Sequence, residues 1–138
     1  LKFEKKNKTF NQIVDMQKKK TGKLFNFCLY AVAVVANLNN KEKIFLSKLG
    51  EEVGLLFQLS DDFLDIKGSK KIIGKSVKKD NKKGKSTLLS LMGHKKAYMY
   101  AYKLKKKILL KLKKHGKKAQ DLTNTIEFIL GRNFWWVD

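Results

Sequence analysis

Apolar residues along this chain recur at intervals of three and four, the spacing of helices that bury one face. Residues 1–9 are polar and basic and read as a frayed lead-in. Phe10, Ile13, Val14 and Met16 share one helical face before Thr21-Gly22 interrupts the pattern. Leu24–Leu38 follows, apolar nearly all round, and a helix apolar on every side is expected to be a buried one. Asn37, Asn39 and Asn40 close it. Residues 10–38 read equally as one long helix bent near Gly22 or as two helices. From about Lys41 to Ile66 the residues Ile44, Phe45, Leu49, Val53, Leu56, Phe57, Leu59, Phe63 and Leu64 keep helical spacing, and Lys67-Gly68 is the expected stop. Residues 67–85 hold three glycines and nine lysines, which predicts a mobile basic loop. Another long helix is expected from about Thr87 to Lys114, ended by His115-Gly116, and a last one from near Asp121 to Leu130. With no strand pattern, repeat or linker, the expected fold class is all-α, in a single domain over residues 1–138.

Composition adds two points. Proline is absent, so no residue forces a helix to break. The formal charge is +20, from 32 basic and 12 acidic residues, and Arg132 is the only arginine. A field of that sign attracts polyanions such as nucleic acid. Built phosphate recognition usually favours the planar fork of arginine, however, so a surface basic almost entirely through lysine argues for general lysine enrichment and against a specific nucleic-acid partner. Cys28 is the only cysteine, which rules out an intrachain disulfide; within its apolar run it is expected to be a small core residue in a reduced, cytoplasmic setting. That run is too short to be a transmembrane segment, and Leu1-Lys2-Phe3-Glu4 carries no secretory pattern.

The segment Phe57-Gln58-Leu59-Ser60-Asp61-Asp62-Phe63-Leu64-Asp65 carries the candidate chemistry. On an ideal helix with Gln58 at zero, Asp61 falls near ~300°, Asp62 near ~40° and Asp65 near ~340°. The four polar side chains therefore share one face, and the three carboxylates on it repel one another. Two readings stand at this point. The cluster is an exposed acidic patch paired with lysines, or it holds Mg²⁺, which takes one or two carboxylates together with waters and phosphate oxygens. Lysine–glycine elements flank it: Lys20-Thr21-Gly22 upstream, then Gly74-Lys75-Ser76 and Gly84-Lys85-Ser86-Thr87. None has the spacing of a P-loop. Together they describe a site that joins metal, diphosphate and lysine.

In order and spacing, Lys20-Thr21-Gly22, Gly54-x-x-Phe57-Gln58-x-x-Asp61-Asp62-x-x-Asp65, Gly74-Lys75 and Gly84-Lys85-Ser86-Thr87 resemble the C-terminal half of trans-isoprenyl diphosphate synthases, the bacterial farnesyl and geranylgeranyl diphosphate synthase type. The resemblance runs from about residue 10 to residue 133. It implies a helical bundle of the isoprenoid synthase type, present here as a C-terminal partial domain. It implies condensation of isopentenyl diphosphate with an allylic diphosphate through Mg²⁺-assisted ionisation. By position, Asp61 is the main metal ligand, with Asp62 and Asp65 in support. Lys20, Thr21, Lys75 and Lys85 contact the allylic substrate or its diphosphate, while Phe57 and Gln58 face the isoprenoid and the developing cation. Lys20, Gln58 and Asp61 are the candidate catalytic residues.

The chain departs from that family pattern in one large respect. It carries no second aspartate cluster and none of the upstream arginines of the isopentenyl diphosphate site. The expectation is a chain inactive without the N-terminal half of the same domain, and a homodimer when complete. The alternatives are a non-catalytic relative of such synthases and a basic helical nucleic-acid-binding protein, which leaves three aspartates on one face without a purpose. A terpene cyclase or squalene synthase is a nearby enzyme class, against which the Asp-Asp-x-x-Asp pattern favours chain elongation.

Overall fold

The computed structural model describes residues 9–73 and 87–132, and the elements among them are all helical. Thr9 opens α1 (Phe10–Gln17). Its hydroxyl accepts from the Gln12 backbone N–H while the Gln12 side chain accepts from the Thr9 N–H, a reciprocal cap. The chain does not break at Thr21-Gly22. It widens into one π-helical turn, Lys18–Gly22, and continues as α2 (Lys23–Val35). Of the two arrangements the sequence allows, the structure has the single helical run, offset by that turn. Asn37 ends α2 in the left-handed region (φ 50°), with Asn37 N–H bonded to the Val34 carbonyl and Leu38 N–H to that of Ala33, which satisfies two carbonyls the helix end leaves open.

The longest element, α3 (Asn40–Ile73), is the central one: α2, the π turn, α5 and α6 all lie against it. Leu49, Val53, Leu56, Leu59 and Phe63 form its buried stripe. Facing them are Ala97, Ala101, Leu104, Ile108 and Leu112 of α5 (His94–Lys113) and Ile126, Ile129 and Leu130 of α6 (Gln120–Gly131). Small alanines on α5 let the two helices approach closely, and leucines and isoleucines fill the space between. Gly54 of α3 meets the π turn backbone to backbone. A Cβ built on it would lie 2.7 Å from Gly22 Cα and 3.1 Å from the Thr21 carbonyl oxygen, so only glycine permits this contact.

Four expectations from the sequence need correction. First, α3 does not stop at Lys67-Gly68 but runs to Ile73; an interior glycine costs a helix only about 1 kcal/mol, and no proline enforces the stop. Second, the helix expected over Thr87–Lys114 is two, α4 (Leu88–Met92) and α5, separated by Gly93 at φ 78°, ψ 161°, a conformation open to glycine alone. Third, α2 is not a buried helix. Only Ala33 is buried, while Leu24, Phe27, Tyr30, Val32, Val34 and Val35 are exposed, Val35 to 88%. Among the described residues only α3 and the adjoining turn pack on α2, so its opposite face stays uncovered. Fourth, Cys28 lies on that uncovered face and is exposed. The predicted basic loop lies largely outside the described residues, as do residues 1–8 and 133–138.

Candidate functional site

The carboxylates sit on the C-terminal half of α3, where the helix passes the end of α1 and the π turn. Asp62 is buried. Its Oδ2 accepts from Gln17 Nε2 at 3.2 Å and its Oδ1 from Gln58 Nε2 at 3.1 Å. Gln58 is oriented in turn by Thr21, whose hydroxyl donates to Gln58 Oε1 at 2.9 Å. With Oε1 so engaged, the amide must present its NH₂ to Asp62. The π turn matters here: its one wide turn shifts Thr21 relative to an unbroken α-helix and sets the hydroxyl over Gln58. Gly54, one turn before Gln58, lets that segment come close enough.

Electrostatically, Asp62 is held by neutral groups only among the described residues. Burial raises its pKa above the ordinary carboxylate value, and the charges of Asp65 and Asp61 raise it further, against the opposing effect of the hydrogen bonds from Gln58 and Gln17. Beside it, Gln17 Oε1 is a buried acceptor with no donor among the described residues. A buried carboxylate with its charge resisted, next to an unpaired carbonyl oxygen, is a place that a hydrated cation would satisfy on both counts.

Asp61 is treated differently. Arg132, the residue that caps the C-terminus of α6, reaches across to α3 and pairs its Nη2 with Asp61 Oδ1 at 2.5 Å. Its Nε donates to Ser60 Oγ at 3.0 Å and to the Ile129 carbonyl at 3.1 Å, and its guanidinium carbon stands 4.7 Å from the centre of the Phe57 ring. Phe57 also packs against Phe25, ring centres 5.4 Å apart. Asp65, a turn beyond Asp61, is exposed.

The structure therefore gathers Thr21, Phe57, Gln58, Asp61 and Asp62 around one stretch of α3. Lys20 belongs to the same π turn but is exposed, and no described hydrogen bond or ion pair links it to the carboxylates. Lys75 and Lys85 lie outside the described residues. Thr87, the last residue of the Gly84-Lys85-Ser86-Thr87 element, spends its hydroxyl as the N-cap of α4, accepting from Ser90 N–H. Sequence reasoning missed Gln17, Ser60 and Arg132. Gln17 carried no signal, because one polar residue on a short mixed helix is unremarkable. Arg132 did carry one: it is the sole arginine in a chain that otherwise uses lysine.

The oxygen donors of this face suit magnesium better than a soft metal. Among the described residues no three His, Cys, Asp or Glu side chains converge to hold an ion by themselves.

Compared with known proteins, residues 1–129 match the polyprenyl synthetase family. The chain belongs to that family. It is 38% identical to a farnesyl diphosphate synthase of Micrococcus luteus over 90 residues, which cover 65% of this chain and 31% of that protein. Identity to a farnesyl diphosphate synthase of Bacillus subtilis is 36% over 98 residues, 69% of this chain and 33% of the relative. A dimethylallyltranstransferase of Fischerella ambigua is 34% identical over 113 residues, 82% of this chain and 33% of its own length. The chain thus spans about a third of the length of the curated relatives it matches. Its all-α architecture is that of the isoprenoid synthase fold. No helix among the described residues is long and apolar enough to cross a membrane.

Proposed function

We propose that this chain is the C-terminal part of a trans-prenyl diphosphate synthase that condenses isopentenyl diphosphate with an allylic diphosphate. The observation that carries the reading is the treatment of Asp62. In a chain of charge +20, a buried carboxylate flanked by two others has Gln17 and Gln58 as its hydrogen-bond partners among the described residues. A buried carboxylate whose described partners are neutral amides suits a cation that comes with the substrate. Relatives called farnesyl diphosphate synthase and dimethylallyltranstransferase supply the class of substrate.

In this reading Asp61 and Asp65 would hold magnesium, with Asp62 supporting them from its amide cradle. Magnesium, when bound, would stabilise the negative charge that gathers on the leaving diphosphate. Thr21 fixes Gln58, and Gln58 faces the isoprenoid beside Phe57, where an amide oxygen favours a developing cation. Lys20, Lys75 and Lys85 are proposed diphosphate ligands. The apolar helices exclude the water that would quench such a cation.

The uncovered face of α2 supports the second element of the proposal, that the site is completed by the rest of a polyprenyl synthetase domain. Phe27 and Val35, 67% and 88% exposed, belong to α2, whose only charged residue is Lys23. Apolar surface of that extent on one helix marks a contact face. The relatives carry about two-thirds of their length beyond the matched stretch, and we assign the face to helices from that portion. The test is a prenyl-transfer assay of the full gene product with and without Asp61→Ala. Loss of about 10²-fold or more in kcat is expected, in line with removal of a preorganised charge-stabilising group. Absence of prenyl transfer, or full activity of the variant, refutes the assignment. The 138-residue chain alone is expected to be inactive, and Val35→Glu should prevent its association with the remaining helices. A Val35→Glu variant that abolishes self-association instead would give the face to a second copy.

A further inference from the structure

We infer that Arg132 is a positioning residue for Asp61, one that fits the carboxylate to a magnesium–diphosphate complex rather than to bare magnesium. The inference rests on the functional reading above and adds a residue to it.

Arg132 is held from four directions. Nε bonds both Ser60 Oγ and the Ile129 carbonyl, the guanidinium lies over Phe57, and Nη2 meets Asp61. Ser60 is fully buried, and its hydroxyl donates to the same Ile129 carbonyl. The arginine is thus anchored without Asp61, so the carboxylate is oriented by the arginine and not the reverse. Lysine has neither the second donor direction nor the flat face that stacks on Phe57. This explains why the only arginine of a lysine-rich chain stands here.

The contact among the described residues is one-sided: Nη2 takes Oδ1 of Asp61. A carboxylate so held keeps a fixed plane and offers its other oxygen to a cation. Charge gives the selectivity. A permanent guanidinium charge beside the ligand opposes a dication arriving alone. The same charge attracts a complex whose diphosphate brings excess negative charge. Arg132 thereby disfavours loading with metal before substrate, while pre-setting the geometry that the loaded site needs.

The test uses the protein as its gene encodes it, titrated calorimetrically with magnesium alone and with inorganic diphosphate in the presence of magnesium. For Arg132→Gln, affinity for magnesium–diphosphate should fall about tenfold, while affinity for magnesium alone stays equal or rises. Arg132→Lys keeps the charge but not the fork, and should recover only part of the loss. In an Asp61→Asn background, Arg132→Gln should cost nothing further, because its effect runs through that carboxylate. Equal weakening of both titrations marks a merely structural role and overturns the inference, as does full recovery by lysine. A further loss in the Asp61→Asn background makes Arg132 a direct diphosphate ligand and overturns it too. Failure of the unsubstituted protein to bind magnesium–diphosphate refutes the functional reading itself, which separates the two failures. Thermal melts of both arginine variants show whether α6 still docks on α3.

Discussion

Two carboxylates of helix α3, Glu52 and Asp62, stand ten positions apart, and the protein treats them in opposite ways. Glu52 faces α5, where Lys111 and Lys107 meet it at 2.7 and 3.0 Å. Burial works against its charge, but the two lysines outweigh burial and hold its pKa below the ordinary value. Asp62, beside the end of α1, receives only amides among the described residues, and its pKa is raised. Lysine is abundant along the whole sequence, so the difference is not one of supply. Where a carboxylate ties helices together it is neutralised from within. Asp62, in the proposed metal site, has only amides among the described residues, the arrangement expected where stability is given up for a ligand.

The strongest way to break this comparison is to disturb one end of α3 and not the other. Gly54→Ala should do so, because its Cβ meets backbone that has no flexible side chain to yield. We expect a loss of about 3 kcal/mol in thermal or urea unfolding, the upper range of overpacking. The Thr21–Gln58–Asp62 chain should be disrupted while the Glu52 pairs persist. Glu52→Gln attacks the other end. It should cost about 1–2 kcal/mol, since Lys107 and Lys111 are partly exposed and can return to water. It should leave magnesium–diphosphate binding unchanged; a fall in that binding would mean that the two ends are coupled.

Asp62→Asn is the mildest change and the most telling, because it should move stability upward. Removing a desolvated charge beside Asp61 and Asp65 is expected to stabilise the magnesium-free protein by up to about 1 kcal/mol at pH 7, with loss of magnesium–diphosphate binding. Acid titration of metal-free stability sharpens the contrast, because the two carboxylates act with opposite sign. The folded pKa of Glu52 lies below its unfolded value of 4.5, so its contribution is present above 4.5 and is lost as pH falls through the folded pKa. The folded pKa of Asp62 lies above its unfolded value of 3.8, so its contribution is greatest below 3.8 and is lost as pH rises through the folded pKa. Glu52→Gln should remove the first limb and Asp62→Asn the second; limbs unchanged in these variants would contradict the assignment.

Much of this was legible in the chain itself. Helical spacing of apolar residues is a local property, and it marked α3, α5 and α6 because their stripes face a shared core. The shared face of Gln58, Asp61, Asp62 and Asp65 follows from helix geometry alone, and the order of the lysine–glycine elements around it pointed to diphosphate. Tertiary structure decided what spacing cannot encode. A helix apolar all round reads as buried, yet one face of α2 is exposed, because burial depends on which neighbours are present. Gly68 and Gly93 look alike in sequence, but the first continues a helix and the second breaks one, according to the backbone angles each neighbourhood imposes. Gln17 and Arg132 join the carboxylates only because α1 and α6 pack beside α3, from 45 and 71 residues away. Sequence determined that three carboxylates stand together, and the fold determined that one rests on amides and another on the only arginine.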